Sequence, residues 1–250
     1  MSTTAPIDSG TTLDVASCTA HAVQRSSLSA AERDEMFALF CTHFDGGTKS
    51  QFARDLDEKD WVMRIRRDGR LVGFTSVRTY VTAFEGQRLN VIYSGDTIMD
   101  PEAWGSPVLA REWIAMIRRL QGERRHEPWF WLLISSGFRT YRFLPLFFRE
   151  FWPRHDAPTP ATAARMMTHL ARERFGEMFD AADGIVRFEK PQRLRGGLAE
   201  VPDVRRQDPH VAFFLERNAG HAAGDELVCI AKLDDDNLTA AGRRMVRPLR

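Results

Sequence analysis

The order of strand and helix signals in residues 61–152 is the feature that most constrains the fold of this chain. Apolar side chains alternate along residues 61–66, and an Asp-Gly turn at 68–69 leads into a return strand over 71–81. A third strand is predicted over 89–99, where a glycine at position 95 indicates a bulge or a close backbone approach. These signals predict an antiparallel strand series.

The signals that follow the third strand predict a helix, a buried strand and a second helix. Residues 100–107 form a loop in which Ser106 can cap a helix that begins at Val108. Residues 129–135 are almost all apolar, as in a strand that is covered on both faces. Residues 138–152 carry aromatic side chains at helical spacing. The whole pattern predicts an α/β fold with a mixed, α+β-type sheet.

The rest of the chain is predicted to extend one domain rather than to form a second. Residues 1–20 are small and polar, which indicates a disordered leader. A single domain is expected over 21–235, with its core in 28–152 and a C-terminal elaboration in 153–235. Residues 236–250 are expected to be a tail.

Composition excludes several classes of function. The apolar share of 43% with 28% charged residues is ordinary for a globular protein, and a net charge of +1 argues against a nucleic-acid binder. No run approaches the roughly 18 apolar residues that a membrane span needs. Cys18, Cys41 and Cys229 show no metal-binding or redox spacing, and the histidines form no cluster. We therefore expect no metal site and a cytoplasmic location.

The order of elements from residue 28 to residue 152 resembles the GNAT superfamily of acyl-CoA-dependent N-acyltransferases. In that family the pantetheine arm of acyl-CoA enters a gap between two diverging parallel strands, and the helix between them points its N-terminus at the pyrophosphate. A helix N-terminus suits an anion because its amide groups are free and its dipole is positive there. The resemblance implies that strands 89–99 and 129–135 diverge in this chain.

The resemblance also implies candidate catalytic residues. Acyl transfer to an amine needs a base for the amine proton and an acid for the leaving thiolate. Asp96, after the expected bulge, is the candidate that positions the base water, and Asp100 and Glu102 are alternatives. Tyr141 is the candidate acid. A turn carboxylate and a core tyrosine are the structural alternatives for Asp96 and Tyr141, and both stay open at this point.

The cofactor expected from the resemblance is acyl-CoA or acetyl-CoA, used as a cosubstrate. The loop before the helix departs from the family pattern, because only one glycine remains and Pro107 removes an amide donor. Serines at the end of the buried strand could pair with the pantetheine amides. The candidate cofactor-binding residues are Trp104, Gly105, Ser106, Val108, Ser135 and Ser136.

Two hypotheses for function follow from these observations. The first is an acyltransferase that moves an acyl group from acyl-CoA to an amine of a small molecule, with no nucleic-acid partner. The second is a catalytically inactive GNAT-like binding or scaffolding protein, which the atypical loop favours. The acyl chain length, the acceptor and the oligomeric state, including a homodimer, stay open.

Overall fold

The computed structural model of the chain describes residues 18–104 and 106–246. Its strands are β1 (Thr19–Gln24), β2 (Phe44–Asp45), β3 (Trp61–Arg67), β4 (Arg70–Phe84), β5 (Gln87–Met99), β6 (Trp129–Ser135), β7 (Phe151–Trp152), β8 (Phe179–Asp180), β9 (Ile185–Val186), β10 (Arg193–Leu194) and β11 (Glu226–Lys232). Its helices are α1 (Ala30–His43), α2 (Lys49–Asp57), α3 (Val108–Gln121), α4 (Phe138–Tyr141), α5 (Phe143–Phe147), α6 (Ala161–Phe175), α7 (Asp203–Arg206), α8 (Pro209–Arg217) and α9 (Ala240–Val246).

One mixed sheet organises the described part of the chain. Its order is β1-β3-β4-β5-β6-β11-β9-β8, and β7 also pairs with β11. β5 and β6 run parallel, while the other pairs in the sheet are antiparallel. A parallel neighbour requires a crossover, and α3 supplies it. The mixed α/β fold predicted from the sequence is confirmed.

Helices cover both faces of this sheet because successive strand residues point to opposite faces. Ile92 of β5 enters the core that contains α3, α5 and α8. Its neighbours Val91 and Tyr93 enter a second core with α6 on the opposite face. The same opposite face carries α1 and α2, whose rings at Phe40 and Phe52 pack near β4. A space between α2 and α6 is thereby left at one end of β5.

The predicted helix over 138–152 is wrong in its second half. The structure has two short helices, α4 and α5, and then the strand β7, which pairs with β11. The backbone leaves helical geometry at Phe148, whose φ and ψ are −119° and 141°. Pro145 lies inside α5, so the break comes after the proline and not at it. Pairing with β11 outweighs the helical spacing of the aromatic residues.

Both ends of the chain are more ordered than expected where they are described. Thr19 already belongs to β1, which pairs with β3, while residues 1–17 of the expected leader lie outside the described residues. Within the expected tail, α9 packs against α3 and α5, and Leu238 is buried in the core. The acidic residues before it form a turn, in which the Asp234 carboxylate accepts a hydrogen bond from the backbone N–H of Asn237 at 2.7 Å.

A segment of residues 188–198, which we call the roof segment, crosses from the C-terminal half to the N-terminal half. Its strand β10 pairs with β2, so that Arg193 lies opposite Asp45. Arg195 adds a backbone hydrogen bond to the His43 carbonyl at 2.8 Å and an ion pair with Asp45. The roof segment therefore lies over the space between α2 and α6.

Candidate active site

The two parallel strands separate at one end, as the resemblance implied. β5 and β6 pair as far as Ser94 and Leu133. Beyond that point β5 continues beside β4 to Met99, while β6 continues beside β11 to its end at Ser135. The edge of β5 that faces the gap is therefore open to hydrogen bonds with another extended chain.

A β-bulge lies on β5 where the gap opens. The register between β4 and β5 shifts between Phe74 and Ser76, and Asp96 has a φ of 45°. The Ser76 hydroxyl donates to the Gly95 carbonyl at 3.1 Å and to Asp96 Oδ2 at 3.3 Å. A positive φ costs a residue other than glycine on the order of 1–3 kcal/mol, and such strain concentrates at functional sites. The bulge predicted at Gly95 is confirmed.

A cavity of about 370 Å³ adjoins the bulge. Its walls come from α2, β5, the end of β6, α6, the roof segment and the first residue of β11. Its size falls in the range of roughly 300–1,000 Å³ that is usual for small-molecule sites. Its ionisable carboxyl and basic residues are Asp55, Glu58, Lys59, Asp96, Arg174, Lys190 and Glu226.

Lys59 is a buried cation beside the bulge. Its Nζ donates to the backbone carbonyl of Asp55 at 2.9 Å, lies 4.0 Å from Asp96 Oδ2 and sits 5.6 Å from the ring centroid of Tyr93. Burial, and then the charge of Asp96, raise the pKa of the Asp55 carboxyl, while Lys59 opposes that rise. The ammonium group therefore holds two carboxyl groups near each other that would otherwise repel.

Glu226 places a further carboxyl against the same cavity. It begins β11 and is partly buried, and burial followed by the charge of Asp96 raises its pKa to about 8. No hydrogen bond contributes to this pKa, so its proton equilibrium is set by lost hydration and by neighbouring charges. A carboxyl group that titrates near neutral pH inside a cavity is suited to proton transfer.

Arg174 and Tyr93 form the α6 side of the cavity. The Arg174 guanidinium pairs with Glu58 and lies 5.0 Å from the ring centroid of Tyr93. Burial raises the pKa of the Tyr93 hydroxyl well above its ordinary value. Tyr93 is therefore suited to donate a hydrogen bond rather than to release its proton.

The structure separates Tyr141, the candidate acid, from Asp96. The Tyr141 side chain is fully buried, and its hydroxyl donates to the Pro153 carbonyl at 3.0 Å. Its ring packs against Phe151 and Phe214 in the core on the α3 face. Tyr141 does not line the cavity, and burial raises its pKa.

The candidate cofactor residues divide into two groups. Ser135 and Ser136 line the cavity, and the Ser135 hydroxyl donates to the Gly137 carbonyl at 2.7 Å. Trp104, Ser106 and Val108 lie at the start of α3 and do not line it.

Two of the backbone amides near the start of α3 already have partners within the chain. Ser106 N–H donates to the Ala103 carbonyl at 3.0 Å, and Val108 N–H donates to Ser106 Oγ at 3.3 Å. Pro107 contributes no donor. Gly105 lies outside the described residues. Fewer free backbone amides are therefore left at the N-terminus of this helix to bind a pyrophosphate.

In residues 18–104 and 106–246, no group of three or more histidine, cysteine, aspartate or glutamate side chains could hold a metal ion. No helix in the same ranges is long and apolar enough to span a bilayer.

Comparison with known proteins gives partial likenesses in structure. No protein-family model and no curated protein matches this chain. A probable N-acyltransferase from Enterococcus faecalis V583 is 17% identical at a TM-score of 0.40; the match covers 53% of this chain but only 33% of that one. An acyl-CoA N-acyltransferase from Pseudomonas aeruginosa is 17% identical at a TM-score of 0.35, over 46% of this chain and 79% of that one. Escherichia coli ElaA is 14% identical at a TM-score of 0.35, over 55% of this chain and 88% of that one.

At these scores the likenesses carry no argument about activity or substrate. The strand order, the separation of β5 from β6 and the bulge at Gly95 belong to this chain itself. On those features the chain has a divergent GNAT-like, mixed α/β fold.

Proposed function

We propose that this protein transfers an acyl group from acyl-CoA to an amine of a small molecule, in the cavity beside the bulge of β5. The observation that supports this most is the parting of β5 from β6 at a charged cavity. The gap offers an extended thiol carrier an open strand edge, and the same cavity extends under the roof segment, where it offers space for the acceptor.

The thioester would lie along the open edge of β5. Gly95 and Asp96 line one side of the gap, and Ser135 and Ser136 lie at the other side. Amide groups of a pantetheine chain can pair with such an edge as an added strand does. The carbonyl carbon of the thioester would then reach the bulge, beside the charged cavity.

Glu226 is the proposed base, and Asp96 positions the amine. The amine nitrogen attacks the thioester carbonyl, a C–N bond forms, and Glu226 takes the proton that the nitrogen releases. The C–S bond breaks, and the same carboxyl returns the proton to the thiolate. A pKa of about 8 lies close to the value of about 8.5 for a free thiol, so neither transfer is strongly uphill.

No role is assigned to Tyr141 in this proposal, because its hydroxyl donates to the Pro153 carbonyl inside the core. Tyr93 lines the cavity and is the hydroxyl proposed to donate a hydrogen bond there instead. Lys59 holds the Asp96 carboxylate in place, since its ammonium group lies 4.0 Å from Asp96 Oδ2.

The proposal is tested by binding and by turnover. A ligand at 100 times its Kd stabilises a folded protein by about 2.7 kcal/mol, so CoA and acyl-CoA of several chain lengths should raise the Tm. Release of CoA from acyl-CoA should then depend on added amine, screened over a panel of small amines. Absence of both effects would contradict the proposal.

The alternative function is a GNAT-shaped binding protein without catalysis. The occupied amides at the start of α3 favour it. Replacement of Glu226 by glutamine distinguishes the two: an enzyme loses turnover and keeps CoA binding, whereas a binding protein shows no turnover before or after the change.

A further inference from the structure

Arg139 of α4 is held in one orientation by aromatic rings. Its guanidinium carbon lies 3.9 Å from the ring centroid of Trp104 and 4.6 Å from that of Phe138. One of its terminal nitrogens donates to the Leu198 carbonyl of the roof segment at 2.9 Å. A stacked guanidinium keeps its N–H donors in the plane of the group, where they can still form a forked pair with an anion.

Within residues 18–104 and 106–246, no carboxylate forms an ion pair with Arg139 or with its neighbour Arg205. The nearby Arg142 differs because it forms an ion pair with Asp208 at 3.1 Å. Burial, and then the charge of Arg205, lower the pKa of Arg139. A half-buried cation near a second cation is stabilised when an anion binds between them.

The stack that Arg139 forms with Trp104 and Phe138 lies between the ends of the two diverging strands. Trp104 follows β5, and its indole N–H donates to the Met99 carbonyl at 2.8 Å. Arg139 belongs to α4, which follows β6 directly. The stack therefore lies next to the start of α3, where Ser106 and Val108 have used their amides within the chain.

We propose that Arg139, oriented by Trp104 and joined by Arg205, binds a phosphate group of the thiol carrier and replaces the glycine-rich loop that this chain lacks. The inference rests on the proposed function, because it assigns the phosphate end of the same ligand. Leu198 ends the roof segment and Arg205 lies beyond it in α7. A phosphate held by Arg139 and Arg205 therefore also restrains the chain between the roof segment and α7.

The experiment compares ligands that differ only in phosphate content. Binding of CoA, 4′-phosphopantetheine and pantetheine is measured by calorimetry on the wild-type protein and on Arg139→Gln, Arg139→Lys and Arg205→Gln. Arg142→Gln is the matched control, because Arg142 follows α4 directly but pairs with Asp208. Loss of a charge-assisted hydrogen bond at Arg139 should weaken CoA and phosphopantetheine binding about 10- to 100-fold.

The remaining expected results follow from the same geometry. Pantetheine binding should be unchanged in Arg139→Gln, Arg139→Lys should be intermediate because it keeps the charge and loses the fork, and Arg205→Gln should weaken CoA binding in the same direction. Equal loss of CoA and pantetheine binding in Arg139→Gln, or unchanged CoA binding in both glutamine variants, would overturn the inference.

Inorganic pyrophosphate separates this inference from the proposed function. If the wild-type protein binds pyrophosphate through Arg139 but binds none of the pantetheine ligands, the phosphate site stands and the acyl-CoA function falls. If it binds pantetheine and CoA equally well, the function stands and the phosphate site falls. If it binds none of the four ligands, both fall.

Discussion

Replacement of Glu226 by glutamine should stabilise the protein and abolish its turnover. The Glu226 carboxyl has a pKa of about 8 in the folded protein, against an ordinary value of 4.5. Below pH 4.5 it is neutral in both the folded and the unfolded states. Between pH 4.5 and 8 the unfolded chain releases this proton while the folded protein keeps it, so the free energy of unfolding falls as the pH rises.

The size of this effect follows from the interval between the two pKa values. Each pH unit within it changes the free energy of unfolding by about 1.4 kcal/mol, which gives about 3 kcal/mol at pH 7 and about 5 kcal/mol above pH 8. Glutamine has nearly the shape of the neutral carboxyl and does not ionise. Glu226→Gln should therefore match the wild-type protein near pH 4.5 and exceed its stability by about 3 kcal/mol at pH 7.

Urea denaturation at pH 5, 7 and 8.5 measures this difference, and Glu216→Gln, an exposed change on α8, is the matched control. The control should show no difference that grows with pH. A Glu226→Gln advantage that is constant over the pH range, or a loss of stability at pH 8.5, would refute the reasoning. Amine-dependent release of CoA should be lost in Glu226→Gln and retained in the control.

Three further predictions concern the proposed chemistry. Turnover of the wild-type protein should rise about tenfold per pH unit below pH 8 and level off above it, because Glu226 must be ionised to act as the base; a pH–rate profile with no limb near 8 would contradict this. Lys59→Met should shift the rising part of the pH–rate profile to higher pH, because Lys59 lowers the pKa of Glu226. The same change should lower the Tm in a thermal melt, because Asp96 loses its cation. Tyr141→Phe should cost about 1 kcal/mol in urea denaturation for the lost hydrogen bond to Pro153 and leave turnover nearly unchanged; a large loss of turnover would show that this hydroxyl takes part in the chemistry.

Much of the fold could be predicted because its signals are local. The strand over 129–135 was predicted with the boundaries that β6 has, since an apolar run that ends in serines leaves little choice. The bulge at Gly95 was visible as a glycine inside an apolar strand. The helix over 138–152 failed because aromatic spacing does not show that Phe151 and Trp152 pair with β11, a strand far along the chain.

The cavity could be predicted only in part for the same reason. Asp96 follows the bulge in sequence, so a local pattern pointed to it. Lys59, which follows α2, and Glu226 of β11 become functional candidates only because the fold brings both to the cavity beside β5. A charged residue directly before the apolar run 227–231 was the one available signal for Glu226, and the same pattern is common at strand ends without any function.

The roof segment meets β2 in a short ladder of two residue pairs, Arg193 with Asp45 and Leu194 with Phe44, to which Arg195 adds a hydrogen bond and an ion pair. The floor of the cavity, by contrast, is held by the long pairing of β4 and β5, which continues on both sides of the bulge. Changes in the roof segment can therefore alter the upper wall of the cavity without disturbing the strands of its floor. In descendants of this chain, the shape of the cavity is free to diverge while the strands beneath it stay the same.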